Sequence, residues 1–504
     1  MLNRFINACT QFPDKTSFVI NGNSFTYTQL SQKISDIRAA ISSLNVPGQK
    51  LIGVVAEDDF DTYASLLAAM FSGCGYVPLL SHNPIDRNES IAELADLKLI
   101  LTPKKAEQIE KLCANKNIIL LETKNVPKSK IDLSLPSNFD EQLAYILFTS
   151  GSTGVPKGVP ITMKNLEALI QAFLALGYSV SENDRFMQMF ELTFDFSVFT
   201  TFAPLCIGAS VHTVSSEGIK FANVYTTLEE QNITFAAMVP SVINYLRPYF
   251  EEMNFEHLKY SLFCGEALIA DVAKEWKQCS PNGVVVNAYG PTEATVFCMM
   301  YDCHDNMNLN KTYNGGVSIG KAMLNTDIIV VDENLKLLPP NEKGELCISS
   351  AQLTPGYWKD EEKNKEAFFK HIVNGKEKTF YRSGDLALYD DEGDFMFGGR
   401  LDYQVKLYGF RVELGEIEHH ARTFSGVTNT AALVYETEAG NQMLYLLLEN
   451  YDVDFTSLKE FLATKVPHYM VPSKIFSLPS FPFNNNGKID RKVLQNKLKV
   501  LGET

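Results

Sequence analysis

Leu147-Phe-Thr-Ser-Gly-Ser-Thr-Gly-Val-Pro-Lys-Gly158 emerges from the apolar run AYILF that begins at Ala144. Its small residues, Gly151 among them, let backbone amides approach an oxyanion closely. The hydroxyls of Thr149, Ser150, Ser152 and Thr153 add donors, and Lys157 adds a positive charge. A polyphosphate suits that combination. The stretch is not a Walker A loop, because Lys157 follows Pro156 and precedes Gly158 instead of Ser or Thr. The bland alternative is a flexible turn joining strand to helix. A dozen residues of this composition behind a buried strand favour the phosphate reading.

Working outward, apolar runs at LIGVVAE (51–57), GYVPLL (75–80), LKLILT (97–102), NIILLE (117–122) and LAYILFT (143–149) read as buried strands. A helical stretch from Asp61 to Ser72 falls between the first two. Strand alternating with helix predicts a parallel sheet and an α/β architecture. From about Thr326 the texture turns β-rich, with short strands and turn signals through TDIIVVDENLKLLP, KGELCISS and FYRSGDLALYDDEGDFMFGG. After Gly399 a compact α+β unit follows: a strand at YQVKLYG, a helix at GEIEHHARTF, two strands, and a helix at FTSLKEFLATKV. The expected division is a large unit, 1–400, and a small one, 401–504. No internal repeat or low-complexity tract interrupts them.

Bulk composition excludes several classes. The 504 residues, 45% hydrophobic and 21% charged, are those of a chain with several buried cores. No run reaches the ~18 apolar residues that a membrane span needs, and no leader is expected at the start. Nine scattered cysteines without a CxxC pair read as reduced thiols in a cytoplasmic protein, not as a disulfide framework or zinc site. A net charge of −15 argues against nucleic acid as a partner.

The loop TSGSTGVPKG resembles the phosphate-loop signature of the adenylate-forming (AMP-binding) superfamily, which holds acyl-CoA synthetases, luciferases and amino-acid adenylation enzymes. Four further stretches match in the family's order: Asn287-Ala-Tyr-Gly-Pro-Thr-Glu293, Tyr381-Arg-Ser-Gly-Asp385, Gly399-Arg-Leu-Asp-Tyr-Gln-Val-Lys406 and Asn486-Gly-Lys488. The resemblance covers nearly the whole chain. It implies the adenylate-forming fold, with a large α/β N-terminal domain carrying a β-rich subdomain and a small mobile α+β C-terminal domain.

The resemblance also implies roles. Carboxylate attack on the α-phosphorus of ATP needs positioning and charge neutralisation. Glu293 is implied as a Mg²⁺ ligand, consistent with that ion's use of one carboxylate plus phosphates. Lys488 is implied to bridge the acid and the α-phosphate, with Lys157 as a further catalytic cation. Asp385 is implied to take the ribose hydroxyls. Arg400, with Phe397, Gly398 and Gly399 before it, joins the nucleotide site. Asn287, Ala288, Tyr289, Gly290, Pro291 and Thr292 are implied to line adenine and α-phosphate. Asp402 matches the hinge about which the family's small domain swings between two half-reactions.

Phe194-Asp-Phe-Ser-Val-Phe199 discriminates among acids. In amino-acid-activating relatives the Asp pairs with the substrate ammonium, so Asp195 implies an amino acid; a buried carboxylate needs such a partner. The bland reading is a helix-cap or turn Asp. Positions matching the family's acid pocket are Phe196, Phe199, Ala237, Leu262, Cys264, Ala288, Val296 and Phe297. Three phenylalanines fill much volume, which predicts a small substrate such as glycine, alanine or serine; rings stacking on an aromatic substrate is the open alternative. Ser261-Leu-Phe-Cys-Gly-Glu-Ala and Glu416-Ile-Glu-His-His420 resemble the D-alanine–D-alanyl carrier protein ligases, although Phe196, Phe199 and Phe297 are bulkier than that group suggests.

The implied function is ATP-dependent activation of a small amino acid, D-alanine first, as aminoacyl-AMP and transfer to the phosphopantetheine of an acyl or peptidyl carrier protein acting in trans, by a monomer. Alternatives are a peptide-synthetase-type enzyme for Gly, L-Ala, Ser or an aromatic, an acyl-CoA ligase, or a non-catalytic relative. From Leu401 onward 11 Lys and Arg stand against 12 Asp and Glu, so nearly all the negative charge lies in the large unit. The small unit is then the face that repels an acidic carrier least. His419 and His420 point about 100° apart on a helix and cannot converge on one metal; both read as helix-surface residues. Met299-Met300 reads as core.

Overall fold

The computed structural model of the chain describes residues 1–137, 139–150, 156–304, 308–401, 404–437, 440–451, 454–483 and 489–501. The chain divides into two compact units. One comprises Met1–Ser81, Ala92–Leu147 and Gly158–Leu401; the other comprises His82–Ile91, Phe148–Lys157 and Asp402–Thr504. Two short segments, 82–91 and 148–157, thus group with the C-terminal residues.

In the larger unit the uninterrupted apolar runs become strands buried along their whole length: Leu51–Val55, Gly75–Leu79 and Leu99–Thr102. They pair in parallel, because the helix Phe60–Phe71 and its neighbours cover the faces that water would otherwise meet. Among the described residues they lie in a six-stranded sheet. A second sheet of nine strands runs from Lys321–Ala322 at one edge, through Met299–Cys303, Val284–Tyr289, Tyr260–Phe263, Phe235–Met238, Arg185–Gln188, Ser210–Thr213 and Thr16–Ile20, to Asn23–Thr26. Its centre is parallel, as the alternating pattern predicts. Its edges are antiparallel, which needs only short turns. At one edge Ile20 pairs with Asn23, and the two residues between, Asn21 and Gly22, have φ of 48° and 76°. That is the two-residue turn with both φ positive whose twist matches a hairpin.

The phosphate-like loop joins two strands, Leu143–Thr149 and Lys157–Thr162, not a strand to a helix. The helix follows at Met163–Leu174, where Thr162 and Asn165 form a reciprocal capping box worth about 1 kcal/mol. Asn165 also donates to the carbonyls of Ala351 and Leu353.

The β-rich segment is an antiparallel sheet around one long strand, Lys376–Tyr389, flanked by Gly344–Ser350, Phe368–Val373 and Phe395–Arg400. It also contains a short helix, Glu361–Ala367, which the strand-rich texture hid; Asp360 caps it by accepting from the Lys363 amide.

In the smaller unit the hairpin Gln404–Leu407/Phe410–Glu413 turns through Tyr408 and Gly409, with φ of 53° and 86°. The helix Leu414–Ser425 packs with a three-stranded sheet made of Thr430–Glu436, Gln442–Glu449 and Lys474–Leu478. Arg87 donates to Glu416 at 3.0 Å with both side chains buried. On that helix His419 is exposed and His420 half-buried, and burial lowers His420 to about 4. Met299 and Met300 are core residues. None of the nine cysteines is in a disulfide, and eight of them are buried. Among the described residues, no helix is long and apolar enough to cross a membrane.

Candidate active site

Four neighbouring parallel strands, ending at Gln188, Met238, Phe263 and Tyr289, direct the loops at their carboxyl ends toward one region. Open α/β sheets bind ligands at such edges, where strand order reverses. Ala237 and Leu262 are paired residues on adjacent strands, Cys264 directly follows one strand, and Ala288 lies near the end of another. The pocket residues expected from the sequence are all buried in the same core cluster.

The three phenylalanines pack on one another. Phe199 meets Phe297 edge-on with ring centres 4.9 Å apart, and Phe196 meets Phe297 edge-on at 6.1 Å. Phe196 also lies 4.6 Å from Phe190, and Phe199 4.9 Å from Phe173. The rings therefore satisfy their edge-to-face preference within the protein.

Asp195 immediately precedes the helix Phe196–Ile207, yet its carboxylate caps no helix amide. The cap half of the bland reading is therefore not met, while the turn half is: Asp195 lies in a turn, its carbonyl accepting the Val198 amide at 2.9 Å. The carboxylate is only 8% exposed and accepts the Thr292 hydroxyl at 2.6 Å. Burial, then Tyr76, then Asp195 push the Tyr145 phenol well above its ordinary value, so it stays protonated. Tyr145 belongs to the strand Leu143–Thr149.

Thr292 belongs to a tightly held loop. Gly290 has no room for a Cβ, which would stand 2.4 Å from the Phe297 Cα. Thr295 and Val296 have φ of 54° and 75°. A positive φ is strained for a β-branched residue and persists only where surroundings impose it. Those surroundings are visible: Gln352 donates to the carbonyls of Phe297 at 2.7 Å and Ala294 at 3.3 Å, and the Thr295 hydroxyl donates to the Gln352 carbonyl. Glu293 is fully buried, and its Oε1 accepts the Tyr357 phenol at 2.6 Å; that phenol lies 3.2 Å from the Tyr381 hydroxyl. A buried carboxylate in a hard-oxygen setting fits Mg²⁺, which binds through a single carboxylate with the substrate's phosphates.

The opposite side of the loop carries the nucleotide-type residues. The Tyr289 phenol donates to Asp385 Oδ2, and Arg400 donates to Oδ1. Asp385 and Arg400 are also paired in register across the hairpin. Burial, followed by the Asp385 charge, raises the Tyr289 phenol well above its usual range, so it remains a donor. Each Asp385 oxygen retains lone-pair capacity beyond these bonds, so the carboxylate fits a ribose diol. Phe397 lies 6.5 Å from the Tyr289 ring, and Gly399, with φ of 106°, needs no side chain. The Asn287 amide turns inward and donates to the Val317 and Ser318 carbonyls at 3.2 and 2.9 Å; its nitrogen braces the loop.

In the smaller unit, Ser150 is buried. It donates to the Arg411 carbonyl at 2.9 Å and accepts the Glu413 amide at 3.1 Å. Lys157 reaches Glu413 at 3.3 Å, and the Thr149 hydroxyl lies 3.5 Å from the Lys157 carbonyl. Gly151, Ser152, Thr153, Asp402 and Lys488 lie outside the described residues. A carboxylate cluster elsewhere, Asp390, Glu392 and Asp394, is filled by the Lys311 ammonium, which pairs with all three.

Sequence reasoning missed Tyr357, Gln352 and the contact between Thr292 and Asp195. Thr354-Pro-Gly-Tyr357 carries only a Pro-Gly turn signal. Partners 64 and 97 residues apart leave no local pattern.

Comparison with known proteins places this geometry in a family. Residues 5–358 match the model of the AMP-binding enzyme family. Tyrocidine synthase 1 of Brevibacillus parabrevis is 31% identical over 487 residues, 96% of this chain and 44% of that protein; the chain spans less than half of it. Zwittermicin A synthase ZmaJ of Bacillus cereus is 30% identical over 491 residues, covering 96% of this chain and 92% of that one. The fold is similar to that of the Vibrio cholerae adenylation domain AlmE in complex with glycyl-adenosine-5′-phosphate, with a TM-score of 0.86, 23% identity, and coverage of 99% and 97% of the two chains. The chain belongs to the AMP-binding enzyme family, the AMP-forming ligases, on the branch that includes the adenylation domains of peptide synthetases.

Proposed function

We propose that the chain activates a small amino acid, D-alanine first among the candidates, as aminoacyl-AMP and passes it to the phosphopantetheine thiol of a separate carrier protein. The observation that carries this reading is Asp195: a buried carboxylate at the carboxyl edge of a parallel sheet, not engaged as a helix cap, beside a cluster of interlocked phenylalanine rings. A carboxylate so placed answers the need of an α-ammonium. In this reading the bulk of the three rings restricts the acid to a hydrogen or methyl side chain. AlmE, of similar fold, holds glycyl-adenosine-5′-phosphate.

In this reading a carboxylate oxygen of the acid attacks the α-phosphorus of ATP, the acyl O–P bond of the aminoacyl-AMP forms, and the P–O bond to pyrophosphate breaks, pyrophosphate leaving. Asp195 orients the amino end, and Asp385 and Tyr289 orient the ribose. By family resemblance alone, Lys157 and Lys488 would supply cationic charge. Mg²⁺ at Glu293 would neutralise phosphate charge. In the second half-reaction the carrier's thiolate attacks the acyl carbon and AMP leaves. Placing a buried ammonium–carboxylate pair is worth about 3–5 kcal/mol against leaving one charge alone, enough to discriminate amino acids from plain carboxylic acids.

The test is ATP–pyrophosphate exchange across glycine, both alanine enantiomers, L-serine and L-phenylalanine, followed by loading of apo and phosphopantetheinylated carrier proteins. Exchange is expected with the small amino acids, strongest with D-alanine, and loading only of the phosphopantetheinylated form. Exchange only with L-phenylalanine would overturn the small-pocket reading. Cys264→Ala is expected to narrow the difference between alanine enantiomers.

A further inference from the structure

We propose that Gln188 is a positioning residue for the acid pocket: its side-chain amide clamps the segment 190–196 and so sets where Asp195 and the Phe196 ring stand. This rests on the reading of Asp195 and its neighbouring rings given above.

Gln188 is buried and ends the strand Arg185–Gln188 inside the nine-stranded sheet. Its carbonyl accepts the Val214 amide at 2.9 Å, so the side chain starts from a fixed point. Beyond it the chain leaves the sheet, and Phe190 is buried but belongs to no strand. A buried peptide group needs an acceptor for its N–H and a donor for its C=O. The primary amide of glutamine offers one of each, side by side. Gln188 Nε2 donates to the Phe190 carbonyl at 2.9 Å, and Gln188 Oε1 accepts the Phe190 amide at 3.2 Å. The side chain stands in for the strand partner that Phe190 lacks.

A third bond reaches the helix behind Asp195. The Thr200 hydroxyl, one turn into Phe196–Ile207, lies 2.6 Å from the same Oε1. Its other acceptors, the Phe196 and Ser197 carbonyls, are farther, at 3.2 and 3.3 Å. A hydroxyl donates one proton to one acceptor at a time, and the closest is Gln188. One side chain therefore ties the strand end, the turn and the first turn of the helix together.

What the clamp holds is the Phe190 ring. Its centre lies 5.4 Å from that of Phe194 and 4.6 Å from that of Phe196, the residues on either side of Asp195. Phe196 in turn meets Phe297 edge-on. In a close-packed interior a shift of Phe190 is passed to both neighbours. Gln188 thus acts on the ammonium end of the acid through Asp195, and on the width of the pocket through Phe196. Tyr289 and Asp385, on the nucleotide side, share none of these bonds.

The experiment compares Gln188→Met, which keeps the length and loses the amide, with Gln188→Glu. A buried carboxyl stays protonated near pH 6, and in that form it can still donate to the Phe190 carbonyl and accept its amide. ATP–pyrophosphate exchange is measured against ATP, against whichever small amino acid supports it, and against an amino acid two carbons larger. For Gln188→Met the small amino acid's KM is expected to rise about tenfold, its preference over the larger one to fall about fivefold, and the ATP KM to stay within about twofold. Gln188→Glu near pH 6 recovers most of the loss. Thr200→Val, which removes one bond of the three, shifts KM and preference the same way by about threefold. If both KM values rise together, or neither moves while the melting temperature falls, the proposal is overturned and Gln188 only stabilises the fold. Should Gln188→Met not fold, Thr200→Val decides, and an unchanged amino-acid KM and preference there overturns the proposal. If Asp195→Asn leaves the amino-acid KM unchanged while Gln188→Met still relaxes the preference, the reading of Asp195 fails and the clamp stands.

Discussion

Two buried aspartates flank the loop that follows the strand Val284–Tyr289, and they are held by different chemistry. Asp385 meets the guanidinium of Arg400 on one oxygen and the phenol of Tyr289 on the other. Asp195 accepts an alcohol, that of Thr292. A carboxylate bound to a protein cation is oriented and charge-compensated within the fold, ready to accept neutral hydroxyls. A carboxylate that accepts a hydroxyl proton is oriented by that bond. On the function proposed above, Asp385 would serve a ribose-type site and Asp195 an ammonium-type site.

Removing either carboxylate is the most direct way to break this comparison. Asp195→Ala is expected to lower amino-acid-dependent exchange about a hundredfold or more, through the lost pairing of a desolvated charge, with nucleotide affinity unchanged by calorimetry. Asp385→Asn is expected to do the reverse. The ATP KM rises about tenfold, the scale of one charged hydrogen bond, and the amino-acid KM stays put. Equal effects of both variants on both substrates would dissolve the distinction.

Gly290→Ala acts on the shared loop. A Cβ 2.4 Å from the Phe297 Cα forces backbone to move, at a cost of about 1–3 kcal/mol. Both KM values rise together, and the melting temperature falls. A variant that shifts only one KM would show that the two sites do not share the loop's geometry.

The smallest expected effect lies away from both aspartates and serves as their control. His212 is buried, its ring nitrogens meeting Gln231 and Ser210, and burial lowers its pKa from 6.5 to about 4 despite the Gln231 bond. Its folded pKa lies below its unfolded one, so the neutral form is favoured in the native state. The stability this confers is full above about pH 6.5 and is lost as pH falls toward 4. Urea unfolding between pH 7.5 and 4.5 is expected to show that loss, and His212→Gln to reduce its slope. The ratio of the two KM values should not follow it.

The sequence was legible where chemistry is local. Buried strands such as Leu51–Val55 and Gly75–Leu79 are continuous apolar runs, and the residues expected to line the acid pocket share one buried core cluster. The loop at 149–158 announced itself by composition. Long-range partners were not legible: nothing near Asp195 signals Thr292, and nothing near Glu293 signals Tyr357. Asn287 was read as a nucleotide contact, but its amide nitrogen is committed to the Val317 and Ser318 carbonyls. The helix Glu361–Ala367 was hidden inside a strand-rich texture, although its Asp-Glu-Glu start is a helix signal. The antiparallel edges of the nine-stranded sheet follow from turn chemistry, such as that at Asn21-Gly22, which periodicity does not report.

The central claim is that Asp195 makes this enzyme an amino-acid ligase. Its most direct test is ATP–pyrophosphate exchange with D-alanine set against propionate, which differs by the amino group alone. The account predicts exchange with D-alanine at least about a hundredfold above propionate in the wild type, and a ratio near one in Asp195→Ala. Equal exchange with the two acids in the wild type would contradict it.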